Sequence, residues 1–132
     1  MYRVYLSGPI RGIEDKNAEA FRVVEDKLTD IGYIVFNPVK ISDCLNYERV
    51  NIGQRHYMEH VMSIDISCIL KSDAICVLPG WETSQGAIAE VALAMFWGIT
   101  ILDAVTLEPI KIEKLVPVIK GANDSCTCNL ET

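Results

Sequence analysis

The chain has 132 residues, half of them apolar and 23% charged, which suits one globular domain with an ordinary core. Its net charge of −6 excludes the positive footprint that DNA or RNA binding through the phosphate backbone requires, while leaving room for one small anion held by local donors. The start MYRVYLSGPIRG has no long apolar stretch behind a basic segment, so no signal peptide is expected, and an odd number of cysteines, five, reads as reduced thiols in a cytoplasm.

Residues 2–7 alternate and are rich in β-formers, so they predict a strand that ends at Gly8-Pro9. Over about 14–31, Phe21, Val24, Leu28 and Ile31 recur at helical spacing, and Gly32 supplies the stop. Residues 33–36 form a second short strand closed by Asn37-Pro38, and 39–53 read as irregular with room for one helical turn. A helix follows over about 54–71, with Tyr57, Val61, Ile64, Cys68 and Leu70 on or near its buried side. Residues 74–78 are apolar throughout, as expected for a central parallel strand covered on both faces.

Residues 85–97 predict the next helix, ended by Gly98, and 99–102 a fourth strand. Within 86–102 the only charge is Glu90, and the run is too short for a membrane span. Residues 116–119 are expected to form a fifth strand, confined by Pro117 to an edge. The domain is expected over 1–121, with 122–132 a loose polar tail. Alternating β and α elements imply an α/β fold: an open, mainly parallel sheet of four to five strands with helices on both faces, Rossmann- or flavodoxin-like. In such sheets ligands sit beyond the carboxyl ends of the strands, which here means the turns at 8–12 and 80–86.

A lone carboxylate in an apolar helix is costly to desolvate unless it is paired or used. Glu90 lies about five residues into its helix, roughly 7 Å below the strand-end rim. Asp65 lies near the end of the preceding antiparallel helix and reaches nearly the same depth beside a strand roughly 17–20 Å long. Two acids flanking one strand suit glycoside chemistry, in which one carboxylate attacks the anomeric carbon and another group manages protons or sugar hydroxyls. The plainer alternatives are a solvated Asp65, and a Glu90 paired with Arg11 or a tyrosine. Ser84 and Gly86 flank a helix start, where N–H groups favour an anion; the plain alternative is an ordinary serine cap. The turn Ser7-Gly8-Pro9-Ile10-Arg11-Gly12 offers backbone approach to a ligand with Arg11 nearby, or simply joins strand to helix. His56 and His60, one helical turn apart, and Cys126-Thr127-Cys128 lack further ligands, so no metal site is expected.

Together, Tyr5 to Gly12, the Asp65 helix leading to Ser72-Asp73-Ala74, and Ser84 to Glu90 resemble the nucleoside 2-deoxyribosyltransferase superfamily, over roughly residues 2–102. Within it the chain looks most like the 2'-deoxynucleoside 5'-monophosphate N-glycosidases. The resemblance implies that Glu90 is the nucleophile, Asp65 the acid that contacts the sugar and assists the base, and Tyr5 an active-site tyrosine. It further implies a phosphate turn at Ser84 and Gly86 and a nucleotide-lining loop matched at Gly8, Ile10 and Arg11; Ser7, Pro9 and Gly12 in the same turn, and Gly80 and Trp81 in the other, are further candidate contacts by position. It implies no cofactor, a small nucleotide or nucleoside as ligand, and a homodimer sharing its active site, with Ser125 reaching across. The departures are Val91 where a glycine often follows the nucleophile, Ile88 and Ala89 where smaller residues precede it, and Pro9 where the glycosidases tend to have serine. The alternatives are a 2-deoxyribosyltransferase that exchanges bases and a non-catalytic nucleotide-binding domain.

Overall fold

In the computed structural model, residues 1–44 and 54–130 are described, with side chains over 1–43 and 58–122. Four strands, β1 (Arg3–Ser7), β2 (Ile34–Phe36), β3 (Ala74–Val77) and β4 (Thr100–Asp103), form one sheet in the order β2-β1-β3-β4. Every pairing is parallel; Tyr5 stands opposite both Phe36 and Ile75, and Cys76 opposite Leu102. The helices are α1 (Ala18–Ile31), α2 (Pro38–Cys44), α3 (Gln54–Leu70), α4 (Gln85–Trp97) and α5 (Ile112–Leu130). The chain leaves β1 towards β2 on one side and returns to β3 on the other, so the switch in strand order falls between β1 and β3.

The alternation of a strand sorts its side chains between two layers. Val4, Leu6, Ala74, Cys76 and Leu78 face α1 and pack on Phe21, Val24 and Leu28. Tyr5, Ile75, Val77 and Ile101 face the other way, onto Ile69 of α3, Ala87, Val91 and Ala94 of α4, and Leu115 of α5. Burying a side chain such as Phe21 or Leu28 contributes about 1.5–3 kcal/mol, and this covering of both faces is why β3 is apolar at every position. Gly98 ends α4 with φ 85°, a left-handed conformation that lets its N–H donate to Ala94 and Met95.

Four expectations need correction. Helix α1 begins at Ala18 rather than near residue 14, because Asp15, Lys16 and Asn17 take left-handed backbone angles; the Asn17 side chain then donates to the Pro9 carbonyl at 3.0 Å. Residues 38–44 form a helix, α2, whose start the Asn37 side chain caps by accepting from Val39 N at 3.0 Å; residues 45–53 of the expected irregular segment lie outside the described residues. Residues 116–119 are not a fifth strand. They belong to α5, whose Leu115, Val118 and Ile119 pack on the second layer at helical spacing, and whose backbone stays helical through Leu130 where a loose tail was expected. Pro117 stands inside that helix and removes one backbone donor, a cost of about 3 kcal/mol that packing of this face offsets.

Candidate active site

The site begins on β1. Tyr5 and Ser7 are two residues apart and so project to the same face, towards α3 and α4, and both are fully buried. On α4, Ala87, Val91 and Ala94 turn to the sheet, which swings Glu90 to the flank that faces α3. There the Tyr5 hydroxyl donates to Glu90 Oε2 at 2.5 Å, and the Ser7 hydroxyl donates to Oε1 at 2.8 Å. Glu90 is therefore held by a tyrosine and a serine, not by Arg11. Desolvation pushes its carboxyl up to about 7, with the two hydroxyls opposing and the charge of Asp65 reinforcing the rise.

Asp65 of α3 completes the group. Desolvation pushes its carboxyl up to about 6, held down in part by the Tyr5 hydroxyl. Its Oδ1 is buried and has no hydrogen-bond partner among the described residues. A buried acceptor left unsatisfied costs about 1–3 kcal/mol, so it points to a donor that arrives from outside. Tyr5, placed beside both acids, has its phenol raised well above 10, chiefly by burial and then by the charges of Glu90 and Asp65. It is a fixed hydrogen-bond donor and not a base. With both acids titrating near neutrality and repelling each other, the pair holds about one proton near neutral pH.

Around this centre lie the two strand-end turns. Gly8 is buried, and a Cβ there would stand 2.8 Å from Leu78 Cβ, so the absent side chain serves close packing of the turn. Pro9 and Ile10 are half-buried, Ile10 against the α1 layer, and Gly12 turns with φ 76°. Arg11 is exposed and its guanidinium donates to Met58 Sδ at 2.8 Å. Gly80 takes φ 87° beside Pro9, bringing the two turns together. Trp81 is 6% exposed and belongs to the core layer under α4, whereas Gly86 is exposed at the helix start.

Ser84 is the helix cap: its Oγ accepts from Ala87 N at 3.2 Å, which leaves its own proton free to donate. The Gln85 and Gly86 N–H groups stand in the first turn, where no intrahelical carbonyl reaches them. Ser125 falls in α5 with its side chain outside the described residues, as do the side chains of His56 and of Cys126 and Cys128; His60 is exposed. Among the described residues no cluster of three or more His, Cys, Asp or Glu could hold a metal ion, and no helix is long and apolar enough to cross a membrane.

Sequence reasoning placed Ser7 only among the loop residues. The two-residue spacing from Tyr5 puts Ser7 on the same face, but its contact with Glu90 depends on how β1 and α4 meet. The tie from Asn17 to Pro9 was missed, since it depends on a left-handed turn that the side-chain pattern does not reveal.

A strand-held tyrosine and serine clamping a helix glutamate at the switch point of a parallel sheet can be compared with known proteins. Residues 2–103 match the family described as a domain of unknown function, DUF4406. The chain belongs to that family. No protein of curated function matches it. Among solved structures, the DUF4406 chain is similar to the 2-deoxyribosyltransferase from the psychrotolerant bacterium Bacillus psychrosaccharolyticus. The two share a TM-score of 0.62 and 18% identity over 76% of this chain and 70% of the other. The likeness fixes the deoxyribosyltransferase-like α/β fold, with its all-parallel sheet.

Proposed function

We propose that this protein is an N-glycosidase that releases the base from a deoxynucleoside 5'-monophosphate through a covalent intermediate on Glu90. The observation that carries this reading is the carboxylate clamped by Tyr5 and Ser7 beside a second acid, Asp65, which has a buried oxygen without a partner. Glu90 attacks C1' as the bond from C1' to the base breaks. The electron pair of that bond goes to the base nitrogen, which takes a proton from Asp65. Water then attacks C1', its proton returns to Asp65, and Glu90 leaves as carboxylate, giving deoxyribose 5-phosphate.

The start of α4 supports a phosphate on the substrate. Five residues of helix, about 7.5 Å, separate Glu90 from Gln85, a distance one sugar phosphate spans. The Ser84 hydroxyl and the free N–H groups there suit an anion, and exposed Arg11 supplies a cation at the rim. Pro9 and Gly80, where the two turns meet, are the proposed wall, whereas Gly8 and Ile10 pack towards the α1 layer and Gly12 and Gly86 are exposed.

Incubation with each deoxynucleoside 5'-monophosphate, followed by chromatography for free base, tests the reading, with Glu90→Ala as the silent control. If every nucleotide stays intact, the hydrolase reading fails. Base exchange is the second reading, favoured by the fold shared with a 2-deoxyribosyltransferase. A deoxynucleoside offered with a free base separates the two, since exchange without net hydrolysis selects transfer. The partner proposed is a second copy, seated where Phe96, Trp97 and Met62 leave apolar surface exposed on α4 and α3.

A further inference from the structure

Attack on a sugar carbon needs one carboxylate oxygen on a fixed line, and a glutamate does not provide this by itself, because its terminal torsion is broad. The bond from Tyr5 restrains Oε2 and leaves the carboxylate free to turn about that contact. The bond from Ser7 to Oε1 removes the remaining freedom. Both donors stand on one strand, and the Ser7 backbone is itself tied down, its carbonyl accepting from Leu78 N at 2.8 Å. Ser7 has no exposed surface, so its hydroxyl has no bulk water to turn to.

We infer that Ser7 is a positioning residue that fixes the plane of the Glu90 carboxylate for attack. The inference rests on the proposed role of Glu90 as nucleophile. The groups that bear on Glu90 are Tyr5 and Ser7 from β1 and Asp65 from α3, with Cys68 of α3 beyond Tyr5. Of these, only the two hydroxyls donate to the charged carboxylate, while Asp65 and burial oppose its charge. Loss of the Ser7 hydroxyl takes its partner from Oε1 and favours the neutral acid.

The test is a pH titration of the Glu90 carboxyl carbon by NMR, assigned with Glu90→Gln, in the wild type, Ser7→Ala and Ser7→Thr, alongside kcat and KM for base release. In Ser7→Ala the midpoint rises by about one pH unit, the size of one hydrogen bond. The optimum of the kcat profile moves up with it, and kcat at neutral pH falls roughly tenfold with KM little changed. Ser7→Thr, which keeps the hydroxyl, restores both. A purely structural serine would lower the melting temperature and leave the midpoint in place. An unchanged midpoint and kcat in Ser7→Ala overturn the inference. If the wild type releases base from no nucleotide, the nucleophile reading fails on its own, and the NMR midpoint still decides whether Ser7 holds the carboxylate.

Discussion

At the scale of single residues the decisive balance is between desolvation and hydrogen bonding at Glu90. Burial raises its carboxyl from 4.5 to about 7, although two hydroxyls donate to the charged form. The folded chain therefore binds this proton more tightly than the unfolded chain does. Stability falls as pH rises from about 4.5 through about 7, and above that window the buried charge costs on the order of 2–3 kcal/mol. Glu90→Gln is expected to raise the melting temperature at about pH 8, with the gain vanishing near pH 4, as followed by circular dichroism. A variant less stable than the wild type at both values would show that the carboxylate is held at no cost. Activity follows the same two groups, because base release needs Glu90 ionised and Asp65 protonated. The rate per enzyme, kcat/KM, should be bell-shaped with its maximum between about 6 and about 7. Tyr5→Phe removes the shorter of the two bonds to Glu90 and moves the optimum upward, with a loss of roughly 10- to 100-fold at neutral pH.

At the scale of elements, two turns carry the site and each has a single weak point. Gly8→Ala would set a Cβ 2.8 Å from Leu78 Cβ, where the neighbour is a fixed core atom. The variant should lose about 1–3 kcal/mol in urea unfolding, because the β1 turn must back away from β3. Ser84→Ala removes the cap from α4 and costs about 1 kcal/mol, and it should raise KM for nucleoside monophosphates more than for the free nucleosides. The strands and α4 were legible because their signals are local: an all-apolar β3, an apolar run after the Ser84 turn, and glycine stops. Glu90 was legible as a lone charge in an apolar run. Helix α5 was not, because Pro117 in a short β-rich stretch outweighed the spacing of Leu115, Val118 and Ile119. Neither was the serine contact to Glu90, which depends on how β1 and α4 meet across the layer. The Asp15–Asn17 turn was hidden for a similar reason, since left-handed angles at non-glycine residues leave no trace in composition.

At the scale of the whole molecule, apolar surface stands exposed on the two helices that carry the acids. On α4, Phe96 is 84% exposed and Trp97 51%, and on α3 Met62 is 51% exposed. Trp97 donates through Nε1 to the Leu70 carbonyl at 3.2 Å, joining the C-terminal ends of the two helices that carry Glu90 and Asp65. A second copy covering this face would bury apolar surface. Against that gain stands charge, since two copies at −6 each bring −12 together. Salt screens the repulsion and leaves the apolar contact intact, so association should tighten as ionic strength rises, the reverse of an ion-pair interface. Light scattering is expected to give about twice 14.7 kDa for the wild type and 14.7 kDa for Phe96→Glu, with the dimer fraction of the wild type growing from low to moderate salt. A Phe96→Glu chain that folds, stays monomeric and keeps full kcat/KM would mean that one copy completes its own site. A monomeric wild type at all salt concentrations would remove the dimer from the proposal altogether.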